Sequence, residues 1–346
     1  MPIKQYNDTS SVSVAYALVD SASATEVGND AMFSTLVPFT SEGFEMSKET
    51  KTSTAMTGSR RPNGSKNTKG SATGSLSTEF GFTQFTIDML AMSMMNRWEF
   101  PMDGGAWITD GDVPTFFFVE KREIASPGGT KTNFFQRYYG NMVNEATIEF
   151  GDGELVSFQV NTMAASADLA SAEATTEWEG SLLPVPTVPE SYEIADTANN
   201  ISKAVLKDDQ GNPLPVTWKD FSLSISNNVR VQPGVGYEFA AGMSFGKVNA
   251  TLSGTVYFYD DTLLKTHMEN GTLSAEITIE TEEGSFVLTL PALRAESPQA
   301  NAQSENEDYT QSLTLTAERG KVTIEGEERE CVIAIVANPT DPSMFA

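Results

Sequence analysis

In residues 71–80 the apolar side chains Ala72, Leu76 and Phe80 fall on one side of a two-residue period, and Ser71, Thr73, Ser75 and Ser77 fall on the other. That alternation marks a β-strand with one face in a core and the other turned to water or a neighbour. The pattern returns 180 positions later in residues 251–260: Leu252, Val256 and Phe258 are apolar, Thr251, Ser253 and Thr255 carry hydroxyls, and a glycine stands fourth in both stretches, Gly74 and Gly254. Repetition of this kind constrains a fold more than composition does, because a missed repeat misassigns the whole architecture.

Other segments match in the same order. Residues 40–47 align with 217–224, keeping Thr40 and Thr217, Phe44 and Phe221, and Ser47 and Ser224. Gly58 then aligns with Gly236, residues 115–120 with 275–280, 143–150 with 310–316, and the closing apolar strands 154–160 with 330–336. Nearly all are short, alternating, rich in Val, Ile, Thr and Phe, and bounded by Gly, Asn, Asp or Pro, as strands of sandwiches and barrels are. The expected class is mainly β, with two tandem sandwich or barrel domains over 1–163 and 216–346. Between them, the Ala- and Ser-rich, then Pro-rich residues 164–215 are expected to form a linker or insertion, partly extended and on the surface. Phe82, Phe85, Met89 and Met92 recur at helical spacing, with Ile87, Leu90 and Met94 thickening the stripe, so a buried helix is expected after the first repeated strand. Its counterpart at 261–268 is cut short by Asn270 and Gly271.

The chain has 346 residues, long enough for two domains, and 39% are hydrophobic. No run approaches the roughly 18 apolar residues of a membrane helix. Residues 1–8 contain no apolar core of a secretory signal, so synthesis in a cytosol is expected. A net charge of −25 argues against tight, sequence-independent binding of nucleic acid, which needs clustered Lys and Arg. Cys331, the single cysteine, lies in an apolar strand-like run and reads as a small buried hydrophobe; no disulfide within the chain is possible.

Motifs that carry chemistry are scarce. His267 is the only histidine, which excludes His-based metal clusters, and it reads as a surface residue before a turn. Phosphate loops and nucleophile elbows are absent from the sequence. The acidic pairs Asp208–Asp209, Asp260–Asp261 and Glu282–Glu283 sit at turn signals, and Asp103, Asp110 and Asp112 lack the calcium-loop spacing. No catalytic, cofactor or metal residue is therefore assigned. Two features ask for more than a plain sandwich. Lys48, Lys51, Arg60, Arg61, Lys66 and Lys69 gather much of a scarce basic complement into one Gly-, Ser- and Asn-rich reach. It is either a solvated loop or a basic arm that docks on an acidic surface of another copy. Met89, Met92, Met94 and Met95 read as core filling before they read as a partner surface.

The order of residues 36–44, then Gly58, Arg60 and Arg61, the 73–79 strand and the helix from Phe85 to Trp98 resembles the tail tube proteins of long-tailed, non-contractile bacteriophages. Residues 221–228, the strand around Gly254, and Thr289 to Pro291 resemble the second half of that pattern. The resemblance spans about residues 30 to 336. It implies a tail tube fold of two packed sheets with a flanking helix, assembly as rings, and stacking into a hollow tube for DNA. The implied partners are other copies of the chain and other tail proteins. The implied location is the virion tail after synthesis in the host cytoplasm, with no membrane anchor, no cofactor and no enzymatic activity. Rings of β domains can hide their sheet edges in a closed barrel, and two tandem copies per chain would close a pseudo-sixfold ring from three chains. A hexamer of single chains is the alternative. An acidic lumen would repel phosphates, and the basic arm would then serve ring stacking. From a different class, a carbohydrate-binding or adhesive sandwich would stack Trp98, Trp107, Trp178 or Trp218 on sugars, and a glycosidase with two suitably spaced carboxylates comes third.

Overall fold

The structure, a computed structural model, describes residues 11–19, 33–56, 60–61, 63–101, 105–125, 131–174, 176–189, 192–300 and 308–341. Residues 1–8, Gly58 and Asp103, each used above, lie outside the described residues. A first set of elements comprises β1 (Val12–Val19), β2 (Thr35–Leu36), β3 (Ser41–Glu42), β4 (Glu45–Thr52), β5 (Ser65–Glu79), α1 (Gln84–Ser93), β6 (Ala106–Thr109), β7 (Phe116–Ala125), β8 (Thr132–Phe150), β9 (Ser157–Met163) and β10 (Ser166–Glu173). A second set comprises β11 (Ile201–Lys207), β12 (Trp218–Ser226), β13 (Arg230–Pro233), β14 (Ala240–Ser244), β15 (Asn249–Tyr257), α2 (Thr262–Met268), β16 (Leu273–Thr281), β17 (Gly284–Ala300), β18 (Thr310–Ala317), β19 (Gly320–Ile324), β20 (Glu327–Cys331) and β21 (Ala334–Pro339). The chain is mainly β, as the alternating segments require.

Two long strands organise it. β8 pairs with β7 and β10 over its first half, then crosses to pair with β9 and β12. β17 likewise pairs with β16 and β21, then crosses to β18. The antiparallel pairs β1–β7, β7–β8, β8–β10, β8–β9, β5–β9 and β4–β5 have one-for-one counterparts in β11–β16, β16–β17, β17–β21, β17–β18, β15–β18 and β12–β15. Even the irregularity between Phe117 and Val119 recurs between Leu273 and Ala275.

This topology corrects the later part of the sequence alignment. The counterpart of β8 is β17, not residues 310–316, and the counterpart of β9 is β18, not residues 330–336. Alternating strands look alike in sequence, so a slip of one whole strand leaves the period-two pattern intact. The earlier matches fall on equivalent strands, β4 with β12, β5 with β15 and β7 with β16, but out of residue register: Glu45 takes the place of Ser224, Thr73 that of Thr251 and Phe117 that of Leu273, slips of two, two and four residues that keep the alternation.

The sets share one core. β8 and β12 hydrogen-bond directly, from Phe150 opposite Phe221 to Glu145 opposite Ser226, and the two phenyl rings stack at 4.2 Å. The result is a continuous eight-strand sheet in the order β4, β5, β9, β8, β12, β15, β18, β17. In the other layer β6 pairs with β21, and Asp110 accepts hydrogen bonds from the Val332 and Ile333 amides at 2.6 and 3.1 Å. α1 sits between the layers. Its cap Thr83 accepts from the Thr86 amide at 3.1 Å, and Phe85, Ile87, Met89, Leu90 and Met92 are buried, as are Met94 and Met95 beyond its end. The methionines are core filling, and α2 is the shorter helix.

Residues 164–215 hold β10, which pairs with β8, and β11, which pairs with β16. Whereas Ala195 bonds to the Phe80 and Val156 backbone, the chain within residues 176–189 lies over the β1–β7–β8–β10 sheet, where Trp178 and Leu183 pack on Phe118, Phe135 and Tyr139. Beneath it the buried Glu120 accepts from Arg137 Nε at 2.8 Å, from Ser181 Oγ and from the Leu182 amide, while Arg137 also donates to the Gly180 carbonyl at 2.6 Å. A buried ion pair is tolerable only when its remaining lone pairs and protons are satisfied, and this stretch satisfies them.

Candidate assembly surfaces

The eight-strand sheet keeps the alternation of its strands. Its inner face carries Ala72, Leu76, Phe158, Leu223, Leu252 and Leu315, all buried. Its outer face is hydroxyl- and amide-rich: one row across six strands reads Ser77, Gln159, Thr147, Ser224, Thr251, Thr316. Where the eight strands pair, this face carries the acids Glu45, Glu79, Glu145, Glu149, Asp220 and Glu296. Arg294 on the same face is held by Glu318 at 2.9 Å and by the Asn270 carbonyl at 2.7 Å, and the lysines of β4 and β5 lie beyond the last pairing of β5 with β9. Cross-strand hydrogen bonds knit the surface, with Ser224 Oγ donating to Glu145 at 2.9 Å and Ser222 and Ser253 hydroxyls 3.1 Å apart. Shallow open grooves on it, one of about 410 Å³ between β8 and β12, are lined by Glu149, Ser157, Asp220, Ser222 and Ser253.

Gly74 and Gly254, which the strand register sets two residues apart, each have a steric reason. A Cβ on Gly74 would lie 2.2 Å from the Phe44 ring, and one on Gly254 would lie 2.3 Å from the Asp220 carbonyl oxygen. Both positions belong to the core face, where a neighbouring strand or ring crosses too closely for any side chain.

At the first edge, β4 and β5 run on past the sheet as an exposed hairpin. The last pairing of β5 with β9 is at Thr73, whereas β4 and β5 stay paired out to Thr52 opposite Ser65. Lys48, Lys51, Lys66 and Lys69 lie on this hairpin, with Lys51 opposite Lys66, and Arg60 and Arg61 lie at its tip. The six basic residues thus occupy one projecting element, with Glu49 as the only acid between residues 48 and 69. Its base is held by the second set: the Gly70 amide donates to the Glu238 carbonyl at 2.7 Å, Lys48 pairs with the Glu238 carboxylate, and the Phe239 ring lies flush on Gly70. At the equivalent place between β12 and β15, β13 and β14 form a second, shorter hairpin whose exposed turn carries Val235 and Tyr237. The two projections are unlike, one basic and one apolar.

The remaining candidates from sequence fall into structural places. His267 is partly buried, its Nδ1 2.7 Å from the Ala295 carbonyl. Burial pushes the Cys331 thiol up to about 12, the nearby Asp110 adding to the effect, so it is a packed, unreactive thiol. Asp208 accepts from the Gln210 and Asn212 amides and Asp260 from the Thr262 amide, as turn residues do. Among the described residues no group of three His, Cys, Asp or Glu is placed to hold a metal ion, and no helix is long and apolar enough to cross a membrane. The tryptophans do not form a sugar-stacking platform. Trp107 lies under Arg329 at 3.9 Å, Trp178 under Arg122 at 4.5 Å, Trp98 donates to the Ile87 carbonyl, and Trp218 packs on Phe221. Trp107 and Trp178 are buried, and Trp98 and Trp218 are half-buried against the chain's own side chains.

Fold and surfaces together define a structural β-sandwich protein with an acidic, hydroxyl-rich sheet face and projecting hairpins. The family model of the phage tail tube protein matches residues 9–317, and the chain belongs to that family. It is a structural component of the virion tail. No curated protein matches the sequence.

Proposed function

We propose that this chain polymerises as stacked rings into the hollow tube through which phage DNA passes into the host. The observation that carries the proposal is the eight-strand sheet, open at β4 and at the far end of β17, with an apolar inner and an acidic, hydroxyl-rich outer face. Open edges of this length are aggregation-prone unless another strand covers them, and joining edge to edge around a ring removes them. In this reading the outer face lines the lumen. Its carboxylates repel phosphates and its short hydroxyls give DNA nothing to grip, so DNA slides without binding.

The equivalent strand pairings support a division into two tandem domains, the second following the stretch that leads into β11. Two domains per chain give a ring of three chains with pseudo-sixfold symmetry. The basic hairpin, with Lys48, Lys51, Arg60, Arg61, Lys66 and Lys69, faces the acidic surface of the adjacent ring. Other tail proteins cap the ends of the tube, and the chain is made in the host cytoplasm before assembly. Native mass measurement of the smallest stable ring tests the stoichiometry: three chains are expected, and six would replace the trimer with a hexamer.

A further inference from the structure

The joint between the two sets inside one chain is closed by aromatic packing. Phe286 on β17 stacks on Phe82 at 4.3 Å and meets Phe80 edge-on at 5.4 Å, while Phe80 meets Phe158 at 5.9 Å. All four rings are at most 1% exposed, and Ile335, beside them on β21, is at 0%.

The corresponding surfaces at the two ends of the molecule are uncovered. The shared irregularities in β7 and β16 register these strands on each other and put Phe134 where Phe286 stands. Phe134 lies opposite Glu123 on β7 and Ser171 on β10; Phe286 lies opposite Ile279 on β16 and Ala337 on β21. Leu169, opposite Gln136, takes the place of Ile335, opposite Leu288. Yet Phe134 is 39% and Leu169 70% exposed. At the other end the helix caps, Thr83 and Asp261, register α1 on α2 and put Phe258 where Phe80 stands. Phe258 meets Tyr309 at 4.8 Å, much as Phe80 meets Phe158. Next to that pair in sequence Tyr259 is 75% exposed, and on the α2 helix that follows Leu264 is 45% and Met268 76% exposed. One end of the chain therefore presents the counterparts of the covering residues Phe286 and Ile335, and the other presents the counterpart of Phe80, with Asp260 in the place of Phe82.

We propose that Phe134 and Leu169 of one copy pack onto the face of Phe258, Leu264 and Met268 of the next, taking the position that Phe286 and Ile335 hold against the Phe80 face within one chain. The proposal rests on the ring reading above and names its lateral joint. Such a contact is heterologous, so it propagates head to tail and closes only as a ring. The occupant is a second copy because the chain itself supplies a worked example of the joint, continued by the β8–β12 strand pairing.

Two double variants test it: Phe134→Asp with Leu169→Asp, and Leu264→Asp with Met268→Asp. These side chains are exposed, so each variant is expected to keep the wild-type circular dichroism and melting temperature while losing rings in sedimentation and electron microscopy. Each retains one intact surface, so an equal mixture is expected to yield dimers and nothing larger, an outcome that mere destabilisation does not produce. Variants that still form rings, or a mixture that stays monomeric while wild type assembles, overturn the joint and leave the tube reading standing. Wild-type chain that forms neither rings nor tubes overturns both.

Discussion

At the scale of single residues, the most informative group is Asp88 on α1. It accepts from the Tyr16 hydroxyl at 2.8 Å and from the Gln84 amide at 2.9 Å, and burial nevertheless raises its carboxyl from 3.8 to about 6. The folded chain thus holds a proton that the unfolded chain has released between about pH 4 and 6. This contribution to stability is fully present below about pH 4 and is lost as the pH rises through 6. Asp88→Asn keeps an acceptor for Tyr16 and removes the charge. It is expected to stabilise the fold by about 2–3 kcal/mol at pH 7.5 and by little at pH 4, as read by urea denaturation at the two pH values. Gly254 offers a second test. The obstacle to a side chain there is backbone, whereas at Gly74 it is the Phe44 ring, which has a side chain's freedom to shift. Gly254→Ala is expected to cost about 2–3 kcal/mol and more than Gly74→Ala, on the scale of overpacked sites; paired denaturation curves decide the order.

At the scale of elements, the hairpin of β4 and β5 converts a composition bias into a projecting arm. Reversing charge at Arg60, Arg61, Lys66 and Lys69 is expected to abolish tube growth and leave the monomer's melting temperature within about 1 °C, since exposed charges away from special features change stability little. Tubes of normal length from that variant would refute the stacking role. Which elements were legible in sequence follows from their physics. β5, β12 and β15 announce themselves because one face is wet and the other dry. The buried helix was visible through Phe82, Phe85, Met89 and Met92, whose spacing admits no strand. The strand equivalences past β7 were misregistered because β8 and β17 turn from one sheet into another in mid-strand, so no turn residue marks the change of partners. The docking of Trp178 and Leu183 was hidden in a stretch whose prolines and alanines resemble a linker.

At the scale of the whole molecule, charge and topology bear on one face. Of the candidate site, sequence supplied the basic residues and the acidic excess, but their separation onto a hairpin and a sheet face needed strand register. If that face lines a lumen, Glu145→Lys with Glu149→Lys should leave tubes intact while making them bind linear DNA in a salt-dependent manner, as measured by co-sedimentation at low and high salt. Binding equal to wild type at low salt would place another surface inside. The unlike hairpins have a further consequence. In an assembly of identical single-domain subunits every substitution is copied to every position around the axis, so a novelty must be tolerable everywhere at once. Here the basic hairpin and the Val235–Tyr237 hairpin are encoded separately yet always delivered in equal numbers. In the proposed ring of three chains a change in one would be felt at alternate positions only, which would leave the other free to preserve the old interaction while the first drifts toward a new one.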